Sequence, residues 1–299
     1  MKHFKKNNFP IFNIRSLQSG SKAIASFSID RLENHIRNFP DTKLPHSHDF
    51  YLIAFITQGG GQHTIDFVTY DVESFKVFFV TPGQIHAWEF SKDAKGFVIF
   101  FTSSFYQMLN LGQHLYELPF FHSTNKPSCL QMSPQRDARL ILMCEEMIDE
   151  YNDEQYGRDK MLVDCLDIML IRMSRYYQET NIPNKTARTS HLRKLEFLIE
   201  KYFRELKLPR DFAEKMHITP HHLNEICKIG LNKTLSEIIA ERKMLEAKRQ
   251  LAYTTDTVTK IADDLNFSDK SHFIRFFKKH SGKTPEQFRE FERIVHHAP

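Results

Sequence analysis

The residues best placed to do chemistry lie near the C-terminal end. Across Asp269 to His280, Phe273, Phe276 and Phe277 share one side of a helix. Lys270, Ser271, Ile274, Arg275 and Lys278 share the other through i, i+3 and i, i+4 spacing. An aromatic anchor opposite a basic and polar strip is what a major-groove reader needs: Arg can donate two hydrogen bonds to guanine, and Lys can contact phosphate or guanine. Alone, such a strip is equally a solvated face. Its repetition changes the balance. Lys228, Asn232, Lys233 and Thr234 recur as Lys278, Gly282, Lys283 and Thr284, while Leu223, Ile226 and Ile238 answer to Phe273, Phe276 and Phe288. A period of about 50 residues suits a multi-helix unit.

Each repeat reads helix, tight turn, helix. In the second, a helix from Val258 to Leu265 meets Asn266, a residue type that tolerates a left-handed backbone. Ser268 is expected to cap the next helix, from Asp269 to His280, and Gly282 to stop it; Pro285 suits the first turn of a last helix. In the first, Leu208-Pro209 precedes a helix through Met216, Thr219-Pro220 opens the next, and Asn232 replaces the stopping glycine. Between the repeats, Leu235 to Tyr253 forms a helix with Leu235, Ile238, Ile239, Leu245 and Leu251 inward. At about 1.5 Å per residue it spans on the order of 30 Å. That is close to the ~34 Å of one DNA turn, so both recognition helices are expected to enter successive major grooves on one face.

The totals fit this reading. The 299 residues carry 41 Lys and Arg against 37 Asp and Glu, and the excess is uneven: from His191 onward the net charge is about +5, and before it about −1. An ordinary apolar fraction of 41% indicates folded domains, and the length allows two of them. Cys129, Cys144, Cys165 and Cys227 are scattered without a CxxC, which argues against a disulfide framework and a cysteine-based zinc site. Met1-Lys2-His3-Phe4-Lys5-Lys6 leads into polar residues rather than an apolar signal core, and no apolar run reaches transmembrane length. The expected location is the reduced cytoplasm, with no membrane partner.

Upstream, Ser26 to Phe101 reads as short strands. Phe50 to Ile56, Phe75 to Val80 and Phe97 to Phe101 are β-rich runs, punctuated by Gly59-Gly60-Gly61 and Pro82-Gly83. This spacing suggests a barrel or sandwich. From Pro134 the pattern turns helical, with Arg139, Leu140, Met143, Met147 and Ile148 in one stretch. Leu162, Leu166, Met169, Leu170 and Met173 form a broad stripe in a second, from Asp159 to Tyr177. That stripe reads either as packing against the strands or as a dimer seam. Glu179 to Ser190, polar and containing Pro183, is the expected linker.

The run from Ile261 to Lys278, then Gly282-Lys283-Thr284-Pro285 and Phe288-Arg289, resembles the signature of the AraC/XylS regulators. Arg242, Ala247 and Leu251 are similar to the connecting helix of that family, and the resemblance covers about 100 residues. It implies base reading near the start and middle of each recognition helix: Lys270, Ser271, Ile274 and Arg275 in the second unit, His221, Asn224 and Glu225 in the first, with Lys228 and Lys278 on the same faces. Glu225 stands where a basic residue is common; it can accept from a cytosine amino group or repel phosphate.

The N-terminal half resembles the cupin-like barrel with which such regulators sense effectors. Catalytic cupins hold a metal with an HxH pair, a downstream Glu and a later His, and the positions matched here are His46, His48 and His86. The Glu would fall near Leu52 or Ile53, both apolar. Three readings stand: a three-imidazole metal site, an organic effector pocket with Tyr51, Phe55, Trp88 and Phe90 as candidate walls, or a structural role. The second is preferred, with no metal and no cofactor.

The expected fold is α+β and multidomain: a cupin-like β barrel (1–132), a helical dimerisation subdomain (133–178), a linker (179–190) and an all-α double helix-turn-helix domain (191–299). The expected function is sequence-specific binding of double-stranded promoter DNA by a homodimer that recruits RNA polymerase, as an activator modulated by a small-molecule effector. The expected ligand-binding residues are His46, His48, Tyr51, His86 and Trp88, and no residue is assigned to catalysis. The alternative is a metal-dependent cupin enzyme with an accessory DNA-binding domain.

Overall fold

The structure, a computed structural model, describes residues 10–18, 24–108, 115, 118–121, 128–153, 155–181 and 187–297. The start of the chain and residues 182–186 of the expected linker lie outside them. The chain divides into two compact units, one spanning Pro10–Lys185 and the other running from Thr186 onward.

The first unit opens with β1 (Ile11–Phe12), β2 (Phe27–Arg31), α1 (Leu32–Asn38) and β3 (Ser47–His48). Then come β4 (Tyr51–Gln58), β5 (Gly61–Ile65), β6 (Val68–Val72), β7 (Lys76–Val80), β8 (His86–Phe90), β9 (Lys95–Phe101), α2 (Ser103–Gln107) and β10 (Cys129–Gln131). It closes with α3 (Pro134–Asn152) and α4 (Arg158–Asn181). The strands form a five-stranded sheet in the order β10-β7-β4-β9-β2, a three-stranded sheet β6-β5-β8, and a parallel pair β1-β3. This corrects the expectation of a barrel. Among the described residues the sheets are not closed by hydrogen bonds; a single bridge, His46 to His86, ties β8 to the residue before β3.

The five-stranded sheet is buried on both faces, and the period-two alternation of its strands keeps the two sides separate. Leu52, Ala54, Ile56, Phe78, Val80, Val98 and Phe100 join Ile65, Val72 and Trp88 of the small sheet in one core. Their neighbours Ile53, Phe55, Val77, Phe79, Phe97, Ile99 and Phe101 join α3 and α4 in the other. Burial on both sides explains why β4, β7 and β9 read as nearly continuous apolar runs. At the β4–β5 turn a Cβ on Gly61 would lie 2.1 Å from the Glu89 carbonyl oxygen, so only glycine fits.

The helical stripe belongs to that second core. Leu162, Leu166, Met169, Leu170 and Met173 are fully buried with Leu140, Cys144 and Met147 of α3. Each such side chain contributes roughly 1.5–3 kcal/mol of burial free energy. They pack against the sheet, so they are not available as a dimer seam; among the described residues the large apolar side chains of α3 and α4 that remain exposed are Leu142, Met161, Ile168 and Ile171.

The second unit is all helical: α5 (Ala187–Tyr202), α6 (Pro209–Lys215), α7 (Pro220–Leu231), α8 (Leu235–Tyr253), α9 (Val258–Asp264), α10 (Lys270–Ser281) and α11 (Pro285–His297). The connecting helix has the expected bounds and 19 residues. Arg242, buried on it, takes Glu200 of α5 in two hydrogen bonds of 2.6 and 2.7 Å and Glu246 in a third of 3.1 Å. Its guanidinium also lies 3.9 Å from the Phe203 ring centroid. Burial works against ionisation of Glu246, but Arg242, Arg249 and Arg204 outweigh it and hold the carboxyl down to about 2.

Candidate DNA-binding interface and effector site

The two helix-turn-helix units have the same local chemistry. Each tight turn holds one residue in the left-handed region: Asn266 (φ 59°), as expected, and His217 (φ 57°), which the sequence reading had not singled out. Each second helix ends on a left-handed residue, Asn232 (φ 54°) and Gly282 (φ 76°). Thr219 caps α7 by accepting from the His222 amide at 3.2 Å. Asp269, rather than Ser268, caps α10, accepting from the His272 amide at 2.7 Å, and Ser268 donates to the Asp269 carboxylate at 3.1 Å.

The burial pattern repeats residue for residue, except that Ile226 is buried where Phe276 is not fully so. Leu223 and Phe273, and Cys227 and Phe277, are buried; Asn224 and Ile274 are half-buried; His221, Glu225 and Lys228 are exposed like Ser271, Arg275 and Lys278. Phe276 is only partly buried, stacking near Phe267 and His280. The Lys278 carbonyl accepts the capping bond from the Gly282 amide (2.9 Å). The Asp269 carboxyl is held below its ordinary value first by its hydrogen bond from the His272 amide, with the Arg275 charge helping. Lys270 lies 4.0 Å from Glu286. On α7, Glu225 sits 3.9 Å from the His221 imidazole and 3.8 Å from that of His222. The second helix therefore presents a basic face, and the first a mixed face centred on a carboxylate.

Between the two sheets of the first unit, His46, His48 and His86 come together with Trp88, and two further histidines, His35 and His63, join them; all six are 2% exposed or less. His46 Nδ1 donates to the Leu44 carbonyl (2.8 Å) and His48 Nδ1 to that of Phe50 (2.7 Å). His63 Nε2 and His86 Nδ1 share a proton across 3.0 Å. Ring centroids of His46 and His86 are 4.1 Å apart. His48 Nε2, His63 Nδ1, His86 Nε2, His35 Nε2 and Trp88 Nε1 are buried with no hydrogen-bond partner among the described residues. Burial, reinforced by mutual repulsion, holds His48, His63 and His35 down to about 3 and pushes His86 well below its ordinary value. Burial holds His46 to about 4, against a small opposing effect of its carbonyl bond. The cluster is uncharged at neutral pH.

Among the described residues no three His, Cys, Asp or Glu side chains are arranged to hold a metal ion. Leu52 and Ile53 are both buried, and only Leu52 faces the histidine side. Tyr51 and Phe55 lie on the opposite face: Tyr51 stacks on Phe101 and meets Phe121, and Phe55 belongs to the helix-side core. Neither lines the same space as the histidines. A cavity of about 150 Å³ opens beside Trp88 and Phe90, bounded by Glu33, Ile36, Lys43, Lys92 and Ala94. Trp88 thus touches the imidazoles and also lines this cavity.

Comparison with known proteins bears on both regions. Residues 32–162 match the family model described as an AraC-like ligand binding domain, and residues 212–290 match a helix-turn-helix domain. The transcriptional activator RhaS of Escherichia fergusonii is 22% identical over 259 residues, covering 82% of this chain and 87% of that protein. RhaS of Yersinia pestis is 24% identical over 255 residues, covering 84% and 90%. Among solved structures, ToxT of Vibrio cholerae is 15% identical and covers 89% of this chain and 98% of its own, with a TM-score of 0.41. No described helix is long and apolar enough to cross a membrane. With a sensing domain and two recognition helices each matched in its own region, the chain belongs to the AraC/XylS family of DNA-binding transcription regulators.

Proposed function

We propose that this regulator activates transcription in the cytoplasm by placing α7 and α10 in successive major grooves of promoter DNA and contacting RNA polymerase there, under control of a small molecule bound in the first unit. The observation that carries the DNA reading is the residue-for-residue repetition of the exposed faces: His221, Glu225 and Lys228 on one helix, Ser271, Arg275 and Lys278 on the other. Lys270 and Arg275 supply donors for guanine, Glu225 an acceptor for cytosine, and Lys228 and Lys278 phosphate contacts. The similarity to RhaS activators supports activation over repression.

The effector reading rests on the cavity beside Trp88. At about 150 Å³ it is below the roughly 300–1,000 Å³ of drug-sized sites, so it suits a small ligand. An apolar body would lie on Trp88 and Phe90, with polar groups toward Glu33, Lys43 and Lys92. His46, His48 and His86 support this wall from behind as neutral hydrogen-bonding groups, and the unit performs no catalysis. Two copies associate through the exposed Leu142, Met161, Ile168 and Ile171 rather than the buried stripe. Two tethered heads bind paired half-sites more tightly without new contacts.

The test is genome-wide mapping of bound DNA, followed by transcription from a bound promoter with and without candidate metabolites of the neighbouring operons. An effector should raise the melting temperature and shift promoter affinity together, because only a ligand with unequal affinity for two states regulates. Binding scattered without a common sequence would overturn the DNA reading. Loss of a stoichiometric metal and of an enzymatic activity in a His46/His48/His86 triple-alanine variant would promote the enzyme alternative.

A further inference from the structure

The two units share a helix start that differs at one atom. Thr234 and Glu237 close a capping box on α8: the Glu237 amide donates to Thr234 Oγ1 (3.3 Å), and the Thr234 amide to Glu237 Oε2 (2.7 Å). Thr284 and Gln287 do the same for α11, at 3.2 and 2.9 Å. Such a box leaves the amide of the first helical residue without an intrahelical acceptor. In α11 that residue is Pro285, which has no amide hydrogen, and no acceptor is needed. In α8 it is Leu235, and its amide donates to Oδ1 of Asn224, on the recognition helix, at 3.1 Å.

The equivalent of Asn224, fifty residues on, is Ile274, just as Pro285 lies fifty residues beyond Leu235. Where the backbone donor exists, the recognition helix supplies an acceptor at this half-buried position; where proline removes the donor, the acceptor is replaced by a hydrocarbon. The two sites change together, in the direction that hydrogen-bond satisfaction demands.

We infer that Asn224 is a positioning residue, which fixes recognition helix α7 against the start of α8, and that it does not read a base. The inference rests on the proposal that α7 lies in the major groove. An asparagine reads adenine by accepting from N6 with Oδ1 while donating to N7 with Nδ2. Here Oδ1 is turned toward α8, 3.1 Å from the Leu235 amide, on a half-buried side chain. The oxygen has a second lone pair, but presenting Oδ1 and Nδ2 together to adenine would mean turning the amide away from that bond, so base discrimination by α7 falls to His221 and Glu225.

The experiment is selection of bound sequences from a random double-stranded library by the full-length chain, with affinities for the selected site measured at a temperature where thermal melting shows each variant folded. Asn224→Ile should weaken binding to every sequence by the same factor, roughly three- to tenfold for one lost hydrogen bond, with the base-preference profile unchanged. The double variant Asn224→Ile, Leu235→Pro imports the pair of the second unit and should recover most of that loss. A residue with a merely structural role would lower the melting temperature without moving the affinity of the folded protein. That outcome, a change of preference confined to one base pair, or a double variant no better than the single one would each overturn the inference. If Asn224→Ile does not fold, Asn224→Asp carries the test: it keeps the acceptor for Leu235 but removes the Nδ2 donor that adenine reading needs. The base-preference profile should then stay unchanged, and a change confined to one base pair would overturn the inference. Glu225→Ala and His221→Ala run alongside. If these too leave the profile unchanged, α7 is not in the groove and the underlying proposal fails; if they change it and Asn224→Ile changes it as well, only the present inference fails.

Discussion

His63 and Trp88 stand opposite one another in the β5–β8 register, with ring centroids 5.5 Å apart. Trp88 is the single tryptophan of the chain, and it also meets His86 and His35 edge-on at 5.2 and 5.8 Å. Its emission therefore reports on the imidazole cluster without a background from other tryptophans.

That gives a pH prediction. Folded, the cluster stays neutral down to about 3–4, while the unfolded chain protonates its histidines below about 6.5. The unfolded state binds more protons throughout that window, so stability is complete above it and falls as pH drops. One pH unit below 6.5, each histidine costs about 1.4 kcal/mol. Trp88 emission should shift to the red in one cooperative step between about pH 6 and pH 4. The C-terminal helices should outlast it, because Glu246 is held down to about 2 and its pairing is lost only as pH falls to that value. Unchanged emission down to pH 4 would contradict the burial described.

The helical layer makes a second prediction. Leu166→Ala or Met173→Ala should cost about 2–5 kcal/mol of N-terminal stability through cavity formation and leave the association state alone. Ile168→Glu, at an exposed site, should do the reverse. Thermal melting and sedimentation on the same samples separate the two, and a monomeric parent protein at micromolar concentration would end the dimer proposal.

On α10, Arg275→Ala should relax one base position and cost about 1–3 kcal/mol of specific affinity. Lys278→Ala should weaken all sequences alike and flatten the salt dependence by about one unit. Two variants with wild-type operator binding would show that the face has been misassigned.

The tight turn of the first helix-turn-helix offers a stability test. His217 sits at φ 57°, where a Cβ costs about 1 kcal/mol. His217→Gly should stabilise the C-terminal unit by up to that amount, and His217→Val should destabilise it by at least as much; calorimetry of the full chain reads both.

Several features were legible in the sequence because their causes are local. β4, β7 and β9 announce themselves as apolar runs, and Asn266, Gly282 and Pro285 punctuate the helices through their own backbone preferences. His63 was not legible as part of the cluster: it lies on the polar run Gln62-His63-Thr64, and only its pairing with Trp88 of β8 brings it to the others. The methionine stripe could not be assigned, since one broad apolar face fits a sheet or a second subunit equally. Residue type alone groups Tyr51 and Phe55 with the histidines, although their parity with Ile53 puts them on the other face. Asn224 looked like a base reader because its partner, the Leu235 amide, is a backbone group with no signature in side-chain pattern.

The doubly covered sheet has a mechanical consequence. Leu52 and Ile53 are consecutive residues pointing into different cores, each built of buried apolar side chains. Close-packed interiors have low compressibility. A displacement of β4 on the histidine side would therefore be felt by the side chains of α3 and α4 that pack on its other face. The central sheet is thus a shared wall: one strand carries the floor of the histidine-side core and the ceiling of the helix-side core.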